Sequence, residues 1–150
     1  MTLATNNQIR GNCQCCGNQQ AVVGSTMSKH GYTVNGGWFN GICSGRNHVP
    51  LQVSREHTDL IVAQVRMEVP ELIAKADKVK AGEITPAAQG KVEVAYADVP
   101  PYLQREGRSA MEWNLRNRAS AGTSYANHME KLANDLHGTA LTEVAKKKAA

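Results

Sequence analysis

The sequence predicts an α+β fold: a small antiparallel β module over residues 11–53, then a helical hairpin or three-helix bundle over residues 54–140. Three observations carry this. Residues 11–53 hold all four cysteines and two of the five histidines among short apolar stretches and Gly/Asn turn signals. From Ser54 onward, apolar residues recur at three- and four-residue steps. Acidic side chains are absent before Glu56, so the chain changes its charge character where it changes its periodicity.

Length and composition set the outer bounds. A chain of 150 residues makes one domain or a small module joined to a second. One Phe and two Trp give little aromatic bulk, so the core must be modest and built on Ala, Val and Leu. No apolar run approaches the roughly 20 residues that span a bilayer. Met1 to Arg10 is polar and lacks the apolar centre of a secretory leader, which places the protein in the cytoplasm. In that reducing compartment, cysteines two residues apart read as metal or redox groups rather than as disulfides.

The elements follow in order. Residues 1–10 read as a flexible polar lead. Gln20 to Gly24, Met27 to Val34 and Trp38 to Cys43 read as short strands, turned at Gly24-Ser25 and Asn35-Gly36-Gly37. So small a sheet needs a staple to be stable. Ser54 is the expected N-cap of the first helix. Ile61, Val65, Val69, Leu72, Ala76 and Val79 form its apolar stripe. Pro70 either kinks that helix or splits it, and Gly82 ends it. Thr85-Pro86 opens a second segment, helical or extended, that runs to Val99. A long helix from Pro101 to about His137 carries the stripe Met111, Leu115, Arg118, Gly122, Tyr125, Met129, Leu132 and Leu136. Gly107 and Gly122 in it would admit a close neighbour helix. Gly138 stops it, and residues 141–150 form a basic tail.

The staple is legible in the cysteines. Cys13-x-x-Cys16-Gly17 is a turn that points two thiolates at one ion, and Cys43 opens a second turn, Cys43-Ser44-Gly45-Arg46-Asn47-His48. Zn2+ takes four such donors in a tetrahedron. Cys13, Cys16 and Cys43 are three of them. For the fourth, His48 is put first because it shares the turn of Cys43. The alternative is His30, which a hairpin about Gly24-Ser25 would return beside the first turn. Cys15 is too close in sequence to its neighbours for the same turn and is left outside the set. A redox Cys-x-x-Cys would need a βαβ setting that this sequence does not offer.

No catalytic constellation accompanies the metal motif. There is no phosphate-binding loop, no His-Glu-x-x-His and no Ser-His-Asp pattern. The net charge of +4 includes Lys29 and Arg46 in the first third and Arg105, Arg108 and Arg116 on the long helix. These five form a candidate binding surface. Tyr32, Trp38 and Phe39 could stack on unpaired bases or fill the small core above the metal.

Cys13-Gln14-Cys15-Cys16-Gly17, Met27-Ser28-Lys29-His30-Gly31-Tyr32 and Gly41-Ile42-Cys43-Ser44-Gly45, leading to His48-Val49-Pro50, resemble a group of small proteins of phages, prophages and bacteria. That group joins a zinc-ribbon-like N-terminus to a helical C-terminus, and the resemblance covers residues 13–56. It implies a zinc-binding accessory protein and no catalytic residue. The pairing of a zinc module with a helical hairpin is also similar to transcription factors of the DksA/TraR type. Those place the hairpin first and carry acids at its tip; here the order is reversed and Glu83 is the one acid in the turn.

The resulting expectation is a non-enzymatic, zinc-stabilised binding protein that engages a host macromolecule such as transcription, nuclease or defence machinery. A protein partner comes first, with DNA or RNA on the basic residues as the alternative. A third reading is a virion or oligomer component assembling through the 101–137 helix. A membrane partner is not expected.

Overall fold

A computed structural model describes residues 7–34, 39–83 and 101–146 of the chain. The Asn35-Gly36-Gly37 turn, Trp38, the segment from Thr85-Pro86 to Val99 and Lys147-Lys148 lie outside the described residues, as do the side chains of Tyr32, Phe39 and Arg105. The fold is α+β: small antiparallel sheets at the N-terminus, then two long helices. It divides into two compact units, residues 1–63 with 125–150, and residues 64–124.

In the first unit, β1 (Asn7–Asn12), β2 (Gln19–Val23) and β3 (Thr26–Met27) are consecutive antiparallel strands. Gly24, with φ +66°, sits first in the two-residue loop that pairs Val23 with Thr26, a loop position that favours glycine. β4 (Gly31–Val34) and β5 (Phe39–Ile42) form a separate two-stranded sheet. A 3-10 turn over Ser44–Asn47 follows.

Both ends of the chain depart from expectation. β1 starts at Asn7, inside the stretch expected to be a flexible lead. Within the expected basic tail, β6 (Thr142–Ala145) returns to pair with β1, giving the sheet order β3-β2-β1-β6. Gln8 faces Val144 and Arg10 faces Thr142 in that register. Thr-Glu-Val-Ala is too short and too exposed to show an alternating pattern, so its pairing with β1 decides its state.

The core of this unit is built on Met27, Pro50, Leu51, Thr58 and Met129, all less than about 2 % exposed, around the buried cysteines. Gly17, at φ +76°, lies where a Cβ would stand 2.9 Å from Leu132 Cδ2 and 3.0 Å from Met129 Sδ. Backbone freedom and lack of bulk are both needed there.

α1 (Glu56–Lys80) runs through Pro70 as one helix, and α2 spans Pro101–Leu136. Pro101 takes the first helical position, where a missing N–H costs nothing. The end of α1 is a Schellman motif on Gly82: Glu83 N–H bonds Lys78 O, and Gly82 N–H bonds Val79 O, with Gly82 at φ +79°.

In the second unit, Ala76, Val79 and Leu115 are buried together, with Leu72 and Met111 packed on them. Asp77 meets Arg116, and Gly122 faces Val65 and Val69. Residue numbers rise on one helix as they fall on the other, so the two run antiparallel within this unit. The expected stripe on α2 is rotated by about one residue at its middle: Ala119 is buried and Arg118 is exposed. Alanines let the helices approach where a long cation would not. The α2 residues expected to carry oligomer contacts are in part already covered by the chain itself, among them Leu115 and Met129.

Candidate metal centre

Cys13 follows directly on β1, and Cys16 lies in the turn between β1 and β2. The Gly17 N–H bonds the Cys13 carbonyl at 2.9 Å, which closes the turn and brings both thiols to one side. After the β2–β3 hairpin the chain passes back beside this turn. Ser28 N–H bonds Ala21 O and Cys43 N–H bonds His30 O, both at 2.9 Å. These bonds carry His30 and Cys43 to the same place. Cys13, Cys16, His30 and Cys43 are all buried, and their four donor atoms lie within 4.8 Å of one another.

The spacing has the dimensions of a tetrahedral site. Bonds of about 2.3 Å to sulfur and about 2.0–2.1 Å to nitrogen give tetrahedron edges of about 3.8 Å (S···S) and about 3.6 Å (S···N). Cys13 Sγ and Cys43 Sγ are 3.7 Å apart, and Cys16 Sγ is 3.4 Å from His30 Nε2. A disulfide needs about 2.05 Å, and all four cysteines are free thiols.

The surroundings orient the donors. His30 Nδ1 lies 2.7 Å from the Ser28 carbonyl. That acceptor selects the tautomer protonated at Nδ1, which leaves the Nε2 lone pair facing the sulfurs. Cys15 N–H points at Cys13 Sγ, and Gly45 N–H at Cys43 Sγ, each at 3.4 Å. Gly45 is enforced by space, since a Cβ there would run into Cys13 Sγ. Burial pushes the Cys43 thiol up to about 12. Cys13 is held well below the usual thiol range, first by the hydrogen bond from the Cys16 thiol. Cys16 is raised in consequence, and by burial. One charge is thus favoured in the bare cluster, and a dication would draw protons from the other thiols.

His48, put first as fourth ligand, is not in this group. Its ring stacks on His57, with centroids 3.7 Å apart and planes 12° from parallel. The 3-10 turn carries His48 beyond Cys43 to the start of α1, so the register argument for His30 prevails over local spacing. Burial, then the neighbouring His48, lowers the basicity of His57.

The candidate binding residues are divided between the two units. Lys29 and Arg46 are exposed on the first unit. Arg116 is paired with Asp77 at 2.8 Å and with Glu112 at 3.1 Å. Arg108 is half-buried beside Gly82, its Nε enclosed without an acceptor. His128 and His137 are exposed.

Gln14 was missed by the sequence reading. It is 2 % exposed, and its Oε1 accepts from the His57 and Thr58 N–H groups at 3.0 and 3.3 Å. Ser54 Oγ accepts from Glu56 N–H, as expected of the N-cap, and Gln14 takes the next two donors of the helix start. A glutamine inside a Cys-x-x-Cys turn gives no sequence signal of that role, because its partners lie more than 40 residues away.

No helix among the described residues is long and apolar enough to cross a membrane. Comparison of the chain with protein-family profiles, with curated proteins and with solved structures gave no match.

Proposed function

We propose that this chain is a non-enzymatic binding protein whose N-terminal sheet is held by a structural zinc ion. The observation that carries the proposal is the buried Cys13, Cys16, His30 and Cys43 group with tetrahedral spacing. Three thiolates and one imidazole suit zinc, and four protein donors leave no position for a reactive water. The metal's work is then to reinforce the small core built on Met27, Leu51 and Met129.

A protein partner is favoured over DNA or RNA. Arg116 is already neutralised by two carboxylates. The helices expose large apolar side chains instead: Leu60 at 66 %, Met67 at 73 % and Trp113 at 66 %. Aromatic and Met side chains of this kind are enriched in protein interfaces. The sequence resemblance supports a phage-type accessory protein acting on a host macromolecule.

Elemental analysis of untagged protein tests the metal. About one zinc per chain is expected, lost in Cys13→Ser and Cys43→Ser together with the β-sheet signal. Native folding of those variants, with zinc content unchanged, would refute the site. Partner capture that survives moderate salt supports a protein surface, whereas affinity collapsing with salt would move the reading to nucleic acid.

A further inference from the structure

We propose that the Cys13-to-Cys16 turn is a metal-set latch on the ends of both helices: occupancy of the centre fixes the N-terminus of α1 through Gln14 and the last third of α2 through Tyr125. The inference rests on the metal reading above and concerns how that site regulates the rest of its unit.

The same four residues that supply two ligands also supply the anchors. Gln14, between the ligands, is bonded to the helix start and to the segment that leads into it. Its Oε1 takes the His57 and Thr58 N–H groups, its backbone carbonyl accepts from Thr58 Oγ1 at 2.7 Å, and its Nε2 donates to Val49 O at 2.9 Å. The next carbonyl, Cys15 O, accepts from Tyr125 OH on α2. Gly17 closes the turn against Met129 and Leu132 of the same helix. Further along, Gly138 N–H bonds Gln52 O, and Gln52 in turn bonds Asn12, the residue before Cys13.

Without its ion the turn keeps the Gly17-to-Cys13 and Cys13-to-Asn18 backbone bonds, the Asn12 side-chain bond to Gly17 O and weak N–H···S contacts, but loses the tie that binds Cys13 and Cys16 to His30 and Cys43. Gln14 and the Cys15 carbonyl then move with the turn, and the helix ends lose their acceptors. The turn is thus the point where metal loss would be read out as loosened helices.

Hydrogen exchange on the full chain tests this, comparing zinc-loaded protein with protein treated with a chelator. Elemental analysis of the same samples reports the metal separately. Chelation should speed exchange roughly tenfold or more at His57, Thr58 and residues 125–137, while residues 72–80 hold their rates. Gln14→Ala should retain one zinc and exchange quickly at His57 and Thr58 whether or not metal is present. Tyr125→Phe, which removes one hydroxyl, should abolish the metal dependence at 125–137 alone. The latch is overturned if chelation changes only residues 11–31 and 41–47, or if both variants, with zinc bound, keep native protection at these helix ends. It is overturned too if chelation unfolds the whole chain in one step. No zinc in the native protein would instead remove the metal reading itself.

Discussion

Replacing His30 by Ala is the sharpest perturbation of the proposed centre, because it separates two histidines that sequence spacing ranks in the opposite order. In the structure His30 Nε2 is 3.4 Å from Cys16 Sγ, a tetrahedron edge, and Nδ1 is 2.7 Å from the Ser28 carbonyl. The substitution removes a metal bond and also the proton donor that satisfies Ser28 O. Loss of an outer partner of a metal ligand alone typically lowers affinity about 10- to 100-fold. Loss of the ligand itself should exceed that, so at least about 100-fold, or about 2.7 kcal/mol, is expected. His48→Ala removes only the stack on His57, worth about 0.5–1.5 kcal/mol of stability for an aromatic pair. Competition against a chromophoric chelator gives the affinity of each variant, and thermal unfolding of the loaded protein gives the stability. His30→Ala should release its metal to the chelator while His48→Ala retains it with a slightly lower Tm. The opposite pattern, metal lost from His48→Ala and held by His30→Ala, would refute the geometry.

Other outcomes follow from the same packing. Gly45→Ala should cost about 1–3 kcal/mol and weaken metal retention, because its Cβ would displace Cys13 Sγ; circular dichroism melts with and without metal read both effects. Metal affinity should fall steeply in acid. Cys16 and Cys43 both have raised thiol pKa values, so each gives up a proton on binding near neutral pH. Two protons released make the affinity drop about 100-fold for each unit the pH is lowered, which competition titrations at several pH values can check. Met129→Ala should destabilise the protein by about 2–5 kcal/mol, since the side chain is fully buried against Gly17. Gly122→Leu should also destabilise, read by urea melts, because the gain of about 1 kcal/mol in helix propensity is outweighed by overlap with Val65 and Val69.

The parts of this fold that were legible in sequence are those with local causes. Gly82 at φ +79° ends α1 because only glycine enters that conformation easily, and the residue announces it. Ser54 caps, Pro101 starts and Gly24 turns for reasons contained within a few residues. The α1 stripe from Ile61 to Val79 faces inward because its spacing leaves no other choice. Pro70 was ambiguous because a proline's local cost in a helix interior is set against packing that the sequence does not display. β6 and Gln14 were illegible because their states depend on partners 35 or more residues away. In each case the local pattern was neutral, and a tertiary contact decided the outcome.

The fourth member of the buried Cys13, Cys16, His30 and Cys43 group shows how two sound arguments can conflict. Local spacing favoured His48, five residues beyond Cys43 on the same turn. That argument assumes the turn stays compact, but residues 44–47 make a 3-10 turn whose Gly45 must lie close against Cys13, and the chain then leaves the cluster. His30 is 14 residues from Cys16 in sequence, yet a two-residue hairpin makes the return path short. In an antiparallel module, strand register brings distant residues together more surely than a loop holds near ones. Donors for a metal are therefore better sought across a predicted hairpin than further along the loop that follows a known ligand. The same logic explains why Cys15 stands apart from the group although both its neighbours in the turn belong to or border it. The turn closed by Gly17 N–H on Cys13 O brings residues three apart, Cys13 and Cys16, to one side, while the Cys15 backbone is left to receive Tyr125.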